Sequence, residues 1–310
     1  MRRAASRSSA PRLGIGLARV GPVLNIAIVA PNGGAEPPVS DLASGLARRG
    51  HRVRRYAPEG YDRLFRRVRA ENPDVVSQHA FDAEAIRLSA GLPVLHTLHL
   101  PPTVHAVVRA CAQSSASFVA LSDFAAAQWR AAGLERVQTI RAGVPDFTPL
   151  PAVVQPIALI SEKGTAPAIR AARRAGLRVQ ILDGLPRREL SQLMAGSAVC
   201  LLPVERDESF DLVAAKAQVA GCPVVGYAHG ALPEVVEHGV SGVLCPPGDE
   251  AALAAAVRRA LVLDRRQVRA SGRARLLIAP MIERYEAELA ALAERQRPRR
   301  AQVFELSIDR

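Results

Sequence analysis

Glu208 and Lys216 are the charged side chains whose positions most directly suggest chemistry. Glu208 falls between a short apolar run and a helical stretch, and side chains at the carboxyl end of a parallel strand reach ligands. A carboxylate accepts hydrogen bonds from two sugar hydroxyls at once, whereas an ammonium group only donates them. The pattern also fits a simpler alternative, in which Glu208 stabilises a helix N-terminus and Lys216 faces solvent.

Lys163 and Gly164 mark a second candidate site, for an anion. They follow the apolar run 157–160 and precede a helical stretch. A strand, a glycine turn and a helix N-terminus together expose backbone N–H groups that bind phosphate, and Lys163 adds a full positive charge. Lys163 and Lys216 are the only lysines among 41 basic residues, which weakly favours a specific role over a lysine in a surface turn.

Two glycines and two histidines mark a third candidate site, in the first half of the chain. Gly33 and Gly34 follow the first apolar run and open a helix, so backbone there approaches a phosphate or an acceptor closely. His79 and His99 each follow a later strand, whereas His96 lies within one. No Asp-x-Asp sequence accompanies these histidines, and we predict no metal site.

These residues need a scaffold in which strands and helices alternate, which predicts α/β domains with parallel sheets. Predicted strands include 178–182 and 224–227, and predicted helices include 39–48, 211–220 and 250–263, the last with Asp249 as its N-cap. We expect a basic, disordered leader at 1–20, for which a signal peptide is the alternative. Two doubly wound domains follow, at 21–145 and 157–278, joined by a proline-rich linker at 146–156. The chain is expected to continue with a helix at 279–296 and a tail at 297–310.

Several motifs resemble retaining family 4 glycosyltransferases. The donor-site signature is similar to Glu208-Ser-Phe-Asp-Leu-Val-Ala-Ala-Lys216, then Gly221-Cys-Pro-Val-Val and Gly230-Ala-Leu-Pro-Glu-Val. Weaker likenesses are Glu162-Lys163-Gly164, Gly33-Gly34-Ala-Glu36 and His96-Thr-Leu-His99-Leu-Pro. The resemblance spans residues 23–296 and implies a GT-B-like fold, with two Rossmann-type domains facing each other across a cleft.

The resemblance implies transfer of a sugar from a nucleotide-sugar donor to an acceptor hydroxyl, with retention of configuration and without a metal or cofactor. His99 and Glu208 are the implied catalytic residues, both at the donor sugar. Glu234 is expected to cap the helix that follows it. The remaining implied contacts are with the donor, from Lys163, Gly164, Phe210, Asp211, Leu212 and Lys216, and with the acceptor or a phosphate, from Gly33, Gly34 and His79.

Departures from the family pattern oppose turnover. Lys216 stands where the family has a second glutamate, Asp211 where it has glycine, the diphosphate arginine before Glu162 is absent, and the stretch 183–197 is short. Lys216 therefore binds the phosphates in place of that arginine, pairs with Glu208, or faces solvent. The rival function is a degenerate transferase that binds a nucleotide or a protein partner without turnover. A phosphorylase is disfavoured because no cofactor-lysine motif is present.

The formal net charge is +12, and 41 − 2 = 39 of the basic residues are arginine. Few aromatic residues interleave with them, which argues against a nucleic-acid partner. A solvated arginine surface is the simplest interpretation. Attraction to an anionic membrane or to a polyanionic substrate is the alternative, and the acceptor is expected to be lipid-linked or a secondary metabolite.

Composition also bounds the location of the protein. No apolar run reaches the roughly 18 residues of a membrane span, so we predict a cytoplasmic protein that is at most peripheral to the membrane. The four cysteines lack Cys-x-x-Cys spacing and are expected to be buried free thiols.

Overall fold

The computed structural model describes residues 21–31, 37–57, 60–146, 153–161, 165–182 and 184–296. Strands and helices alternate along the first part of the chain. In order they are β1 (Asn25–Val29), α1 (Pro37–Arg48), β2 (Arg52–Tyr56), α2 (Tyr61–Ala70), β3 (Val75–Gln78), α3 (Ala83–Leu88), β4 (Val94–Leu98), α4 (His105–Ala112), β5 (Ser117–Ala120), α5 (Asp123–Ala131) and β6 (Val137–Thr139).

The same alternation continues in the second part of the chain and ends in three helices. In order the elements are β7 (Gln155–Ser161), α6 (Thr165–Arg174), β8 (Arg178–Leu182), α7 (Arg187–Gly196), β9 (Ser197–Leu202), α8 (Leu212–Val219), β10 (Val224–Tyr227), α9 (Leu232–Val235), β11 (Gly242–Cys245), α10 (Glu250–Ala260), α11 (Arg265–Leu276) and α12 (Ile278–Gln296). This is the α/β architecture that the sequence predicts.

The strands form two parallel sheets. The N-terminal sheet has the order β2-β1-β3-β4-β5-β6 and the C-terminal sheet the order β11-β10-β9-β7-β8. The common doubly wound order places a further strand beyond the second strand of a sheet. The described residues contain no such strand beyond β8, in agreement with the shortness of the stretch 183–197.

The central strands of each sheet are buried on both faces because their side chains alternate between two helical layers. In β1, Ile26 and Ile28 pack with α1 and α12, whereas Ala27 and Val29 pack with α2. Such two-sided burial is typical of a parallel sheet. All four cysteines are buried and free, as predicted. Within the described ranges, no helix is long and apolar enough to cross a membrane.

After the C-terminal sheet the chain returns to the N-terminal sheet. Val144 pairs in parallel with Leu277, and the Ile278 amide donates to the Val144 carbonyl at 2.9 Å. Helix α12 then packs on the N-terminal sheet and completes its core through Met281, Ile282, Tyr285, Leu289, Leu292 and Ala293. The two sheets are therefore joined by two crossings of the chain.

Candidate donor site

The loop from β9 to α8 forms a cavity at the carboxyl end of the C-terminal sheet. Its volume is about 360 Å³. The lining residues are Ser161, Leu182, Glu208, Phe210, Asp211, Leu212 and Val213. The structure thus brings together four residues that the sequence predicts to bind the donor. The edge where they lie is the one at which open α/β sheets bind ligands.

Glu208 contacts the side chain of Arg206 and the backbone of the Gly230 turn. The Arg206 Nε donates to its Oε1 at 2.9 Å. Gly230 has a φ of +62°, and a Cβ there would lie 3.3 Å from the Glu208 amide nitrogen. The Gly230 turn therefore packs directly on the backbone of Glu208, and only glycine adopts this conformation easily.

Asp211 serves α8 directly. Its Oδ1 accepts from the Ala214 amide at 2.8 Å, which makes it the helix N-cap. Part of the carboxylate is therefore engaged with the helix. Phe210 is 8% exposed and packs in the core with Leu202 and Leu232. Sequence reasoning did not separate the capping role of Asp211 from a ligand role.

Lys216 lies in the last turn of α8 and does not line the cavity. The pKa of its ammonium group is lowered, first by burial and then by Arg187, against the opposing effects of Asp41 and Asp211. Arg187 itself donates to both carboxylate oxygens of Asp41 on α1, at 2.9 and 2.7 Å. Lys216 thus lies beside an ion pair that links the two sheets' helices. Within the described residues it forms no ion pair with Glu208.

Four of the predicted site residues lie outside the described residues. They are Gly33, Gly34, Lys163 and Gly164. Their assigned roles stay predictions. Ser161, which comes shortly before Lys163 in the sequence, lines the cavity.

The carboxyl edge of the N-terminal sheet brings His79 and His99 together. His79 Nδ1 lies 2.9 Å from His99 Nε2, and its Nε2 lies 2.9 Å from Ser77 Oγ. Burial lowers the pKa of His99 to about 4 and, with His99 and His96, lowers the pKa of His79 well below its ordinary value. Both rings are therefore neutral at pH 7 and act as hydrogen-bonding groups rather than as cations.

His96 behaves as a strand residue, as expected. Its ring stacks on Phe118 at 5.2 Å between centroids, and burial lowers its pKa to about 3. Among the described residues, no group of three or more His, Cys, Asp or Glu side chains is arranged to hold a metal ion.

Glu234 caps a helix, but not the one that follows it, so that prediction is wrong. Its Oε2 accepts from the Asp123 amide at 2.9 Å and its Oε1 from the Phe124 amide at 2.5 Å. These amides begin α5, which belongs to the N-terminal sheet. Gln128, also on α5, donates to Asp207 Oδ2 at 2.5 Å. Local sequence could not reveal these contacts, because the partners are distant along the chain.

With this geometry in view, we compared the chain with known proteins. Residues 154–262 match the family model described as Glycosyl transferases group 1. A D-inositol 3-phosphate glycosyltransferase of Geodermatophilus obscurus is 36% identical over 138 residues, which are 44% of this chain and 28% of that protein. The N-acetyl-alpha-D-glucosaminyl L-malate synthase of Bacillus anthracis is 42% identical over 65 residues, 21% of this chain and 17% of that protein. The chain thus spans less than a third of these curated relatives.

Solved structures extend the likeness to most of the chain. Anabaena HepE, solved with UDP-glucose, has a TM-score of 0.68 at 18% identity and covers 86% of this chain and 99% of its own. AviGT4, a glycosyltransferase of avilamycin A biosynthesis, has a TM-score of 0.68 at 18% identity, covering 87% and 98%. The chain has the two-sheet GT-B fold, and its residues 154–262 are similar to the glycosyl transferases group 1 family.

Proposed function

We propose that the protein is a glycosyltransferase that moves a sugar from a nucleotide-sugar donor to an acceptor hydroxyl with retention of configuration. The observation that carries the proposal is the cavity around Glu208, at the carboxyl end of the sheet and inside the region that matches the family. HepE, solved with UDP-glucose, supports a sugar nucleotide as the class of donor.

In the proposed reaction, the bond between the anomeric carbon and the diphosphate oxygen breaks. A bond from that carbon to the acceptor oxygen forms on the same face. The acceptor proton passes to the leaving phosphate. Lys163 and the N–H groups at the start of α8 stabilise the developing negative charge, and such electrostatic stabilisation carries most of the rate. We propose that the protein supplies this charge without a metal or cofactor.

Glu208 and His99 orient the sugar in this proposal. The Glu208 carboxylate accepts from sugar hydroxyls, and exchanging its Arg206 partner for a hydroxyl costs little because Arg206 is 60% exposed. His99 is neutral at pH 7, since burial lowers its pKa to about 4. It therefore acts as a hydrogen-bonding group toward the sugar.

The second candidate is a degenerate transferase that binds a nucleotide or a partner without turnover. The observation that favours it is the place of Lys216, whose charged neighbours are Arg187, Asp41 and Asp211. A lysine there is away from the cavity lining. Lysine cannot accept hydrogen bonds as the family's second glutamate does, so position 216 offers no hydrogen-bond acceptor.

The deciding experiment is calorimetric titration with UDP, GDP and dTDP, followed by a product assay with the matching sugar nucleotide. We expect one nucleotide to bind, and Lys163→Ala to weaken it by about 10-fold or more because a charge-assisted phosphate contact is lost. Arg259→Ala, which removes an exposed cation on α10, is the matched control and should change nothing. No binding of any nucleotide would overturn the proposal.

Turnover separates the two candidate functions. We expect Glu208→Gln to abolish product formation while nucleotide binding persists. Lys216→Glu then reports on the departure from the family: stronger nucleotide binding identifies position 216 as an impaired ribose contact, whereas weaker binding identifies Lys216 as a phosphate ligand. Binding without product, in the wild type and in Lys216→Glu alike, would establish the degenerate transferase.

We also propose a cytoplasmic location with peripheral contact to an anionic membrane, which suits a lipid-linked acceptor. Strand β2 lies at the edge of its sheet, next to α2, and both carry exposed arginines: Arg52, Arg54, Arg55, Arg63, Arg66, Arg67 and Arg69. Such a cluster attracts anionic lipid in a salt-dependent way.

The test is co-sedimentation with vesicles of phosphatidylglycerol or of phosphatidylcholine. We expect binding to the anionic vesicles alone, and its loss in Arg66→Glu/Arg67→Glu. The pair Arg258→Glu/Arg259→Glu on α10 carries the same charge change and serves as the control. Equal loss in both pairs would assign the attraction to net charge rather than to this surface.

A further inference from the structure

Helix α5, which belongs to the N-terminal sheet, contacts both the loop that carries Glu208 and the Gly230–Glu234 segment. Glu234, in α9, caps its first turn. Gln128, in the next turn of α5, donates to Asp207, the residue before Glu208. Leu121, just before the helix, packs against the core of the C-terminal sheet. One short helix therefore forms hydrogen bonds with both the Asp207–Glu208 loop and the Gly230–Glu234 segment.

The cap divides the first turn of α5 between the two sheets. The Asp123 and Phe124 amides bind Glu234, whereas the Ala125 amide binds Ser122 Oγ at 3.0 Å within the same layer. The first N–H groups of a helix lack intrahelical partners and favour a negative charge. Two of the three donors thus have a protein acceptor only while the sheets stay together.

Arg141 lies close to both carboxylates of this contact, those of Asp123 and Glu234. Its Nη2 donates to Asp123 Oδ2 at 2.9 Å and lies 3.6 Å from Glu234 Oε2. Glu234 is 19% exposed and Asp123 is 63% exposed. The guanidinium offsets the repulsion between the two carboxylates, so that Glu234 approaches the helix with its full charge.

The capped segment is packed on the candidate catalytic loop. Gly230 begins the turn that leads into α9, and its Cα faces the backbone of Glu208 so closely that a Cβ would lie 3.3 Å from the Glu208 amide. A shift of Glu234 therefore moves the support on which the Glu208 backbone rests. Asp207 transmits a second restraint from Gln128 to the same loop.

We propose that Glu234 is a positioning residue: it docks α9 on the N-terminus of α5 and thereby sets the cleft and the loop that carries Glu208. The docking contact stands on the geometry of Glu234 alone. Its consequence for sugar transfer rests on the proposed function.

The docking is tested by a distance measurement that needs no activity. Spin labels at Arg66→Cys on α2 and Arg258→Cys on α10 report the separation of the two layers, because both sites are exposed and the native thiols are buried. Glu234→Ala should broaden and lengthen the distance distribution. Ser122→Ala is the matched control: it removes a cap from the same helix but within one layer, and should leave the distribution unchanged.

Amide hydrogen exchange gives the local readout. We expect Glu234→Ala to speed exchange at the first turn of α5 and in 230–235 by about 2- to 30-fold, the range for loss of a cap. Ser122→Ala should affect α5 only. Glu234→Gln keeps one acceptor oxygen and should fall between wild type and Glu234→Ala. An unchanged distance distribution in Glu234→Ala, or exchange that rises only in α5, would overturn the docking role.

Kinetics test the consequence. We expect Glu234→Ala to lower kcat while calorimetric affinity for the nucleotide stays within about threefold, because the cavity residues are retained. Glu234→Gln should restore part of kcat. If the wild type shows no transfer, the proposed function fails, but the distance and exchange results still decide whether Glu234 docks the sheets. Unaltered kcat in Glu234→Ala would refute the positioning role.

Discussion

Two glutamates attach later parts of the chain to helices of the N-terminal sheet in different ways. Glu286, on α12, is buried and binds Arg49 Nη2 at 2.6 Å and His51 Nε2 at 2.8 Å. Glu234 is 19% exposed and binds two backbone amides. The first contact joins α12 to the end of α1, and the second joins α9 to α5 across the cleft.

The surroundings of Glu286 make its contact permanent. The Leu24 amide donates to His51 Nδ1 at 3.2 Å, so the His51 Nε2 carries the proton that it donates to Glu286. Burial alone would raise the pKa of Glu286, but the hydrogen bonds from Arg49 and His51 outweigh it and lower the pKa. Water cannot replace these partners without opening the core, whereas backbone N–H groups at a partly exposed helix end donate readily to water. The protein thus has a fixed seam along α12 and a separable contact at α5.

The largest effect should come from breaking the fixed seam. Glu286→Ala leaves the Arg49 charge buried without its carboxylate, and we expect a loss of about 3 to 5 kcal/mol in the free energy of unfolding. Glu294→Ala, at an exposed position of the same helix, is the control. Chemical denaturation measures both. A loss below about 1 kcal/mol for Glu286→Ala would show that the seam tolerates opening, and the contrast with Glu234 would disappear.

The backbone crossing at the seam should be nearly as sensitive. A Cβ on Gly143 would lie 2.7 Å from both Ile278 Cα and the Leu277 carbonyl oxygen, which are backbone atoms and cannot rotate away. We expect Gly143→Ala to cost about 1 to 3 kcal/mol. A Cβ on Gly196 at the end of α7 meets nothing within 4 Å, so Gly196→Ala should be close to neutral when both variants are measured by chemical denaturation.

The buried histidines should make the N-terminal sheet lose stability in acid. Their folded pKa values are depressed below the ordinary value of 6.5, to about 3 for His96 and about 4 for His99. As the pH falls below about 6.5 the unfolded chain binds protons that the folded chain does not, so stability decreases until the folded pKa is reached. We expect a loss of about 2 kcal/mol for each of these two histidines by pH 5, and a shallower slope in His96→Phe. An unchanged slope there, equal to that of the exposed-site control His105→Gln, would remove His96 from this account.

The smallest effect should come from the ion pair between Arg187 on α7 and Asp41 on α1, which also joins the two sheets' helices. Arg187 and Asp41 form a bidentate contact, but Arg187 is 48% exposed. We expect Arg187→Ala to cost about 0.2 to 1 kcal/mol, with less effect in high salt. A cost as large as that of Glu286→Ala would mean that the cleft side is also a fixed seam.

Local signals in the sequence predicted local structure well. Strands 178–182 and 224–227 lie where they were expected, and Asp249 caps α10 by accepting from the Ala252 amide at 2.8 Å. Helix α11 was missed. Its inward positions Val268, Gly272 and Leu276 follow helical spacing, but the middle one is a glycine. A Cβ there would lie 2.7 Å from the Gln218 carbonyl carbon, so close packing on α8 requires glycine at this position. The apolar residue that would have completed the helical pattern in the sequence is therefore missing.

The candidate site divides in the same way. Glu208, Phe210, Asp211 and Leu212 are close in sequence, and one loop gathers them at the cavity. The partners of Lys216 and Glu234 lie on other helices, so their positions depend on how the layers pack. The pairing of His79 with His99 was predictable only in part. The sequence predicts that each histidine lies at the carboxyl end of a strand. It does not predict that β3 and β4 are neighbours, which brings His79 Nδ1 within 2.9 Å of His99 Nε2.

The return of α12 to the N-terminal sheet has a consequence for synthesis on the ribosome. β6, the last strand of that sheet, ends at Thr139, but the helix that covers its core begins at Ile278. At roughly 5 to 20 residues per second, about 7 to 28 s separate the two. During that interval Ile26, Ile28 and Leu95 lack the apolar side chains of α12. One face of the nascent sheet is therefore covered by α1 alone until α12 has been synthesised.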